Sequence, residues 1–250
     1  MKIEKFNLLQ FDSLESTNKY CELLDLSEVE EFTVVWALEQ TAGIGQRGNR
    51  WESEPGANLT VSIILKPTFL RTDDTFRVTQ VVALGISDLL MELLPQHNVH
   101  IKWPNDLLVD GHKICGTLIA STLQGDHIAT AICGIGLNVN QTIFPDWVPN
   151  PTSIALLSGQ HHVLRPLLDQ LITYIGQRYQ QLRDGNRTAQ DEQYLQRLYN
   201  YKKSARYQYH EQTIDATIQG VDTFGRLLLT TADGQSLCCQ MKEIALLPAD

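Results

Sequence analysis

A chain of 250 residues, 43% apolar and 20% charged, can bury one substantial core with a small satellite, an ordinary globular composition for which disorder is not the default. Its 29 acidic against 20 basic residues give a formal charge of −9, which opposes a nucleic-acid backbone across the surface as a whole and leaves only a local basic site open. The opening MKIEKFNLLQF has charges in its only apolar run, so it is not a secretory signal, and no run reaches the ~20 apolar residues of a membrane span. Five cysteines without a C-x-x-C pair suggest neither disulfides nor zinc, so a reduced cytoplasm is the expected compartment.

In chain order, Phe6 to Phe11 reads as a short strand, and DSLE (Asp12 to Glu15) has capping-box spacing before a helix predicted to run to about Leu26. FTVVWAL and NLTVSIILK are strand-like and flank a Gly-rich segment. From Asp74 to Leu94 the positions Val78, Val81, Val82, Gly85, Leu89 and Leu93 form the stripe of a long buried helix. HIKW, DLLV, KICGTLIAS and HIATAICGIGLNV are four further strands, with Asp110-Gly111 a hairpin turn. After Asn140, Pro145, Pro149 and Pro151 mark an irregular loop, followed by helices at about 164–182 and 189–199. The last fifty residues hold short β runs separated by glycines, the pattern of a small all-β barrel starting near residue 203.

GIGQRG (Gly43 to Gly48) matches G-x-G-x-x-G, but a dinucleotide site needs a helix after the third glycine, and here the chain continues through a turn into a strand. A kinase reading needs H-R-D and D-F-G, and neither occurs. The glycines still let amides approach an anion beside Arg47 and Arg50, so the segment reads either as an anion-binding loop or as a plain surface hairpin.

KWPND (Lys102 to Asp106) packs a cation, an aromatic, a proline, an amide and a carboxylate between two strands, and Lys113 opens the strand beyond. Strict alternation sets Lys113 and Cys115 on one face of that strand and Ile114 and Gly116 on the other, unless a bulge shifts the phase. GIGLNVN adds Gly134, Gly136 and Asn138. Taken in order, EST-N, EQTAGIGQRGNRW, KWPNDLLVDGHKICGTLIAS and GIGLNVN resemble the biotin protein ligases, over roughly residues 8 to 140 by motif and over the rest by architecture.

The resemblance implies an α/β (α+β) fold, a class II aminoacyl-tRNA synthetase-like mixed sheet with flanking helices in residues 1–202, and an SH3-like β-barrel in residues 203–250. It implies synthesis of biotinyl-5′-AMP from biotin and ATP with Mg²⁺, then transfer to a lysine of a biotin carboxyl carrier protein. Ser16, Thr17, Asn18, Gln40, Gly43, Ile44, Gly45, Gln46, Lys113, Gly116 and Gly134 would hold biotin. Arg47, Arg50, Trp51, Lys102, Asn105, Lys113 and Asn138 would hold ATP or the adenylate. Lys113, Arg47 and Asp106 would be catalytic, with Asp106 also a metal ligand. Many relatives carry an N-terminal DNA-binding domain, and the strand that begins almost at Met1 fits the monofunctional type, with no nucleic acid, no membrane and a homodimer left open.

Such chemistry requires cations, because both the biotin carboxylate and ATP are anionic. A ureido ring suits a pocket of Ser, Thr and Gln, which rejects analogues that leave its polar groups unpaired. Ile44 and Gln46 stand where the family carries arginines, and Asn49 replaces another, so a looser grip on the adenylate is expected, with Arg47 and Arg50 compensating in part. The competing readings are a lipoate or octanoate protein ligase, whose own motifs are missing, and a non-catalytic biotin-binding sensor.

Overall fold

The structure, a computed structural model, describes residues 6–241 and 243–247, with Arg47 described in its backbone alone. Strand β1 (Asn7–Leu14) leads through helix α1 (Thr17–Glu22) to β2 (Thr33–Gln40), which lies parallel to β1. The Gly-rich segment connects β2 to its antiparallel neighbour β3 (Leu59–Leu65), every residue of which is buried, as expected of a strand covered on both faces. Helix α2 (Phe76–Leu93) precedes the meander β4 (Val99–Lys102), β5 (Asp106–Val109), β6 (His112–Gln124) and β7 (His127–Leu137). Strand β7 returns to pair with β3, and the seven-stranded mixed sheet has the order β1-β2-β3-β7-β6-β5-β4.

Helices α3 (Ile154–Ser158), α4 (Leu164–Arg183) and α5 (Arg187–Arg197) follow. The predicted stripe of α2 packs with α4 onto one face of the sheet, where Val78, Val81, Val82 and Leu89 join Leu168, Leu171 and Ile175 in the main core. Gly85 lets the two helices touch: a Cβ there would lie 2.8 Å from the Ile175 Cα. On the opposite face α1 sets Cys21 against Val35, Ile64 and Ile132.

Strands β8 (Ser204–Tyr209), β9 (Gln212–Val221), β10 (Leu227–Thr231), β11 (Ser236–Cys239) and β12 (Ile244–Leu246) form an antiparallel sheet of order β11-β10-β9-β8-β12. That order is compatible with the expected barrel, although no ladder joins β11 to β12 among the described residues. Its apolar residues Tyr207, Ile218, Leu227 and Leu229 share a cluster with Phe76, Leu84 and Ile101 of the first sheet's layer and with Tyr194 and Leu198.

Two local predictions need correction. The DSLE segment is no capping box: Ser13 and Leu14 continue the ladder opposite Glu39 and Gln40, so α1 starts only at Thr17 and ends at Glu22, short of Leu26. Helix α3 and strand β12, only five and three residues long, carry too little pattern to be read from sequence. Among the described residues no helix is long and apolar enough to cross a membrane.

Candidate active site

The parallel register that places Leu14 beside Gln40 also brings the first turn of α1 to the end of β2. There Gln40 Oε1 accepts the Thr17 amide at 2.8 Å and faces the Thr17 hydroxyl at 3.1 Å. The Asn18 amide donates to the Leu118 carbonyl at 3.1 Å and lies over Gly134, where a Cβ would come 2.4 Å from Asn18 Oδ1. Ser16, Thr17 and Asn18 are all buried, so this polar corner has little exposed surface and depends on its hydrogen bonds.

Next to it, Gly116 of β6 pairs with Gly136 of β7, and together they leave a bare patch of backbone. The Trp51 indole occupies it. A Cβ on Gly136 would lie 2.2 Å from Trp51 Cε2, and one on Gly116 3.2 Å from Cζ3. Trp51 is delivered by the Gly-rich segment, a hairpin in which Gly45 N donates to Asn49 O, Trp51 N donates to Gly43 O at 2.9 Å, and Gln46–Gly48 form a short 3₁₀ turn. The chain after Gly48 contains no α-helix before α2, in accord with the rejection of a dinucleotide site. The indole N–H is buried and without a partner among the described residues.

Lys113 Nζ stands 5.9 Å from the centre of a Trp51 ring and 2.7 Å from Asp106 Oδ1, a close ion pair. Its placement corrects the simple alternation. Leu107 faces Cys115 but Leu108 faces Lys113, so Ile114 is an extra residue in a bulge. The bulge brings Lys113 and Gly116 to the same cleft, while Ile114 and Cys115 both enter the core. Burial drives the Cys115 thiol pKa far above its ordinary value, so Cys115 is no nucleophile. The Pro-rich loop pins the lysine's backbone: Lys113 N donates to Asn150 O and Thr152 N to Lys113 O, both at 2.8 Å. KWPND forms the β4–β5 turn, with a cis Trp103–Pro104 bond and Asn105 Nδ2 donating to Thr117 O at 3.0 Å.

These parts enclose a cleft of about 450 Å³, its mouth included. Of the sequence-predicted residues it gathers Ser16, Thr17, Asn18, Gln40, Ile44, Gly45, Gln46, Trp51, Asn105, Lys113, Gly116 and Gly134. Asp106 adjoins through Lys113 and lines, with Lys102 and Lys113, a wider open space beneath the C-terminal sheet. Three further positions line neither space. Asn138 is buried and donates to the Thr152 carbonyl, Arg50 pairs with Glu52 at 3.0 Å, and Gly43 sits under the Trp51 carbonyl. The Arg47 side chain lies outside the described residues. Sequence reading missed Val61, Thr117, Leu118, Ile135 and Gly136 as lining residues; for Gly136 the signal is its two-residue spacing from Gly134. Among the described residues no group of three His, Cys, Asp or Glu side chains could hold a metal.

A polar corner, apolar walls from Val61, Leu118 and Ile135, and an ammonium at Lys113 suit an elongated acid with a hydrogen-bonding head. The biotin protein ligase from Aquifex aeolicus, solved in complex with biotin and ATP, superposes with a TM-score of 0.80 at 22% identity, covering 97% of this chain and 99% of that one. The fold is therefore that of the biotin protein ligases. The bifunctional ligase/repressor BirA of Bacillus spizizenii is 29% identical over 91% of this chain and 70% of its own length, and that of Bacillus subtilis 31% identical over 69% and 54%. The biotin–acetyl-CoA-carboxylase ligase of Paracoccus denitrificans is 35% identical over 42% of this chain and 43% of its own. Residues 10–138 match the biotin/lipoate A/B protein ligase family, and the chain belongs to that family.

Proposed function

We propose that the chain is a biotin protein ligase, which activates biotin with ATP to biotinyl-5′-AMP and passes biotin to one lysine of a biotin carboxyl carrier protein. The observation that carries the reading is the position of Lys113, which lines both the cleft with its polar corner and the wider open space under the C-terminal sheet. A ureido head in the corner formed by Ser16, Thr17 and Gln40 directs the valeryl chain along the apolar wall and the carboxylate toward Lys113. Nucleotide bound from the wide side meets the carboxylate at the same ammonium.

In the first step a carboxylate oxygen bonds to the α-phosphorus and the bond to pyrophosphate breaks. Lys113 offsets charge on both reactants, and Arg47 is proposed to join it. In the second step the carrier's amine bonds to the acyl carbon, AMP leaves, and the amine's proton goes to Asp106 or is oriented by it. Mg²⁺ would supply neutralisation of the phosphate charge; with Asp106 paired to Lys113, its ligands would come chiefly from the nucleotide, the usual mode for this ion. Five cysteines, all unpaired, support a reducing, cytoplasmic setting.

Incubation of the purified chain with biotin, MgATP and a carrier domain tests the reading, with streptavidin as the detector. Labelling that requires both small molecules and disappears in Lys113→Ala is expected, and an unlabelled carrier overturns it.

A further inference from the structure

Ser62 lies in the middle of β3, fully buried, a single hydroxyl between Val61 and Ile63 and opposite Gly134 in the ladder. Its Oγ is 2.7 Å from Thr17 Oγ1 and 2.6 Å from Asn18 Oδ1. Ser62 has one proton for two oxygen neighbours, so only one of these contacts has Ser62 as donor. The Asn18 amide settles which. Its NH₂ donates to the Leu118 carbonyl, so its oxygen faces Ser62 and needs a proton from there. The Cys21 thiol, also beside Ser62, is pushed by burial up to about 12, so it keeps its own proton and does not compete as a strong acceptor.

The Ser62 O–H therefore donates to Asn18 Oδ1, and the Ser62 oxygen accepts the Thr17 hydroxyl at 2.7 Å. The other acceptor in reach of that hydroxyl, Gln40 Oε1, is farther away at 3.1 Å and also takes the Thr17 amide at 2.8 Å, so the shorter contact to Ser62 is the stronger one. Thr17 lines the cleft and Ser62 does not. We infer that Ser62 is a positioning residue: it draws the Thr17 proton beneath the cleft floor and so presents Thr17 to the ligand as a hydrogen-bond acceptor. The ligand group this selects is an N–H. The inference rests on the biotin reading, since a ureido ring offers N–H groups whereas the dithiolane ring of lipoate has none.

The test is calorimetric binding of biotin and of its two cyclic carbamate analogues, in which one ureido N–H is replaced by ring oxygen. The wild type is expected to favour biotin over the poorer analogue by about tenfold or more, because an oxygen facing Thr17 leaves an acceptor unpaired. In Ser62→Ala the Thr17 hydroxyl loses its nearer acceptor and its proton is shared between Gln40 Oε1, 3.1 Å away, and the ligand, so the preference falls to about threefold or less. Ser62→Cys keeps the side chain's size with a weak donor, and the same narrowing is expected there if the alanine variant fails to fold. Variants that bind biotin and analogue with an unchanged ratio overturn the role of Ser62 alone. A wild type that binds no biotin overturns the functional reading and the inference together.

Discussion

Trp51 rests on bare backbone because Gly116 and Gly136 are neighbours across two strands: a Cβ at Gly136 would overlap the indole, and one at Gly116 would press on it. Lys113 then lies between that indole and Asp106, close enough to serve both the acid and the nucleotide. If Asp106 handles the proton of the acceptor amine, Asp106→Asn lowers biotin transfer from purified adenylate by about 100-fold, the lower range of general-base effects. Transfer at the wild-type rate, measured by single-turnover quench, removes that role. Ile44 and Gln46 line the cleft without a cation, and the Gln46 amide instead reaches the Met241 sulfur at 3.3 Å. An arginine at position 44 would add a charge-assisted bond to the adenylate phosphate, so Ile44→Arg is expected to slow adenylate dissociation about tenfold. An unchanged rate in a stopped-flow chase shows that other groups already hold the phosphate.

Among the elements, α2 and α4 meet at Gly85, where a Cβ would approach the Ile175 backbone nitrogen and Cα to 2.9 and 2.8 Å. Alanine would gain about 1 kcal/mol of helix propensity, but the obstacle is backbone and cannot rotate aside. Gly85→Ala is therefore expected to lower stability by about 1–2 kcal/mol net, read from the urea midpoint at constant slope; a rise in the midpoint contradicts the close packing. The α2 stripe is legible in sequence because five turns of helix repeat one apolar face. The start of α1 is not, because Ser13 and Leu14 answer to a parallel neighbour twenty-six residues away in sequence, as the pairing of Leu14 with Gln40 records. The β6 bulge has the same origin: Lys113, Cys115 and Gly116 identify the strand, yet only the pairing with Leu107 and Leu108 fixes which of them share the cleft. The fragments GIGQRG, KWPND and GIGLNV are each readable, and tertiary registers bring most of them together while leaving Asn138 and Arg50 aside.

At the scale of the molecule, the C-terminal sheet shares an apolar cluster with residues of the first sheet's layer. Tyr207, Ile218 and Leu227 pack with Phe76, Leu84 and Ile101, and the Trp103 indole donates to the Gly225 carbonyl at 2.9 Å. Since the C-terminal sheet buries its apolar face on residues of the first, the chain is expected to melt in one calorimetric transition. Two well-separated transitions would show that the shared cluster couples them weakly. The same joint places the C-terminal sheet over Lys102 and Asp106, on the side from which nucleotide is proposed to bind. The most direct test of that arrangement is acid-dependent exchange of labelled pyrophosphate into ATP, which reads the first step without any carrier. Exchange that depends on biotin, and not on lipoate, is the predicted result; exchange with lipoate alone, or with neither acid, would contradict it.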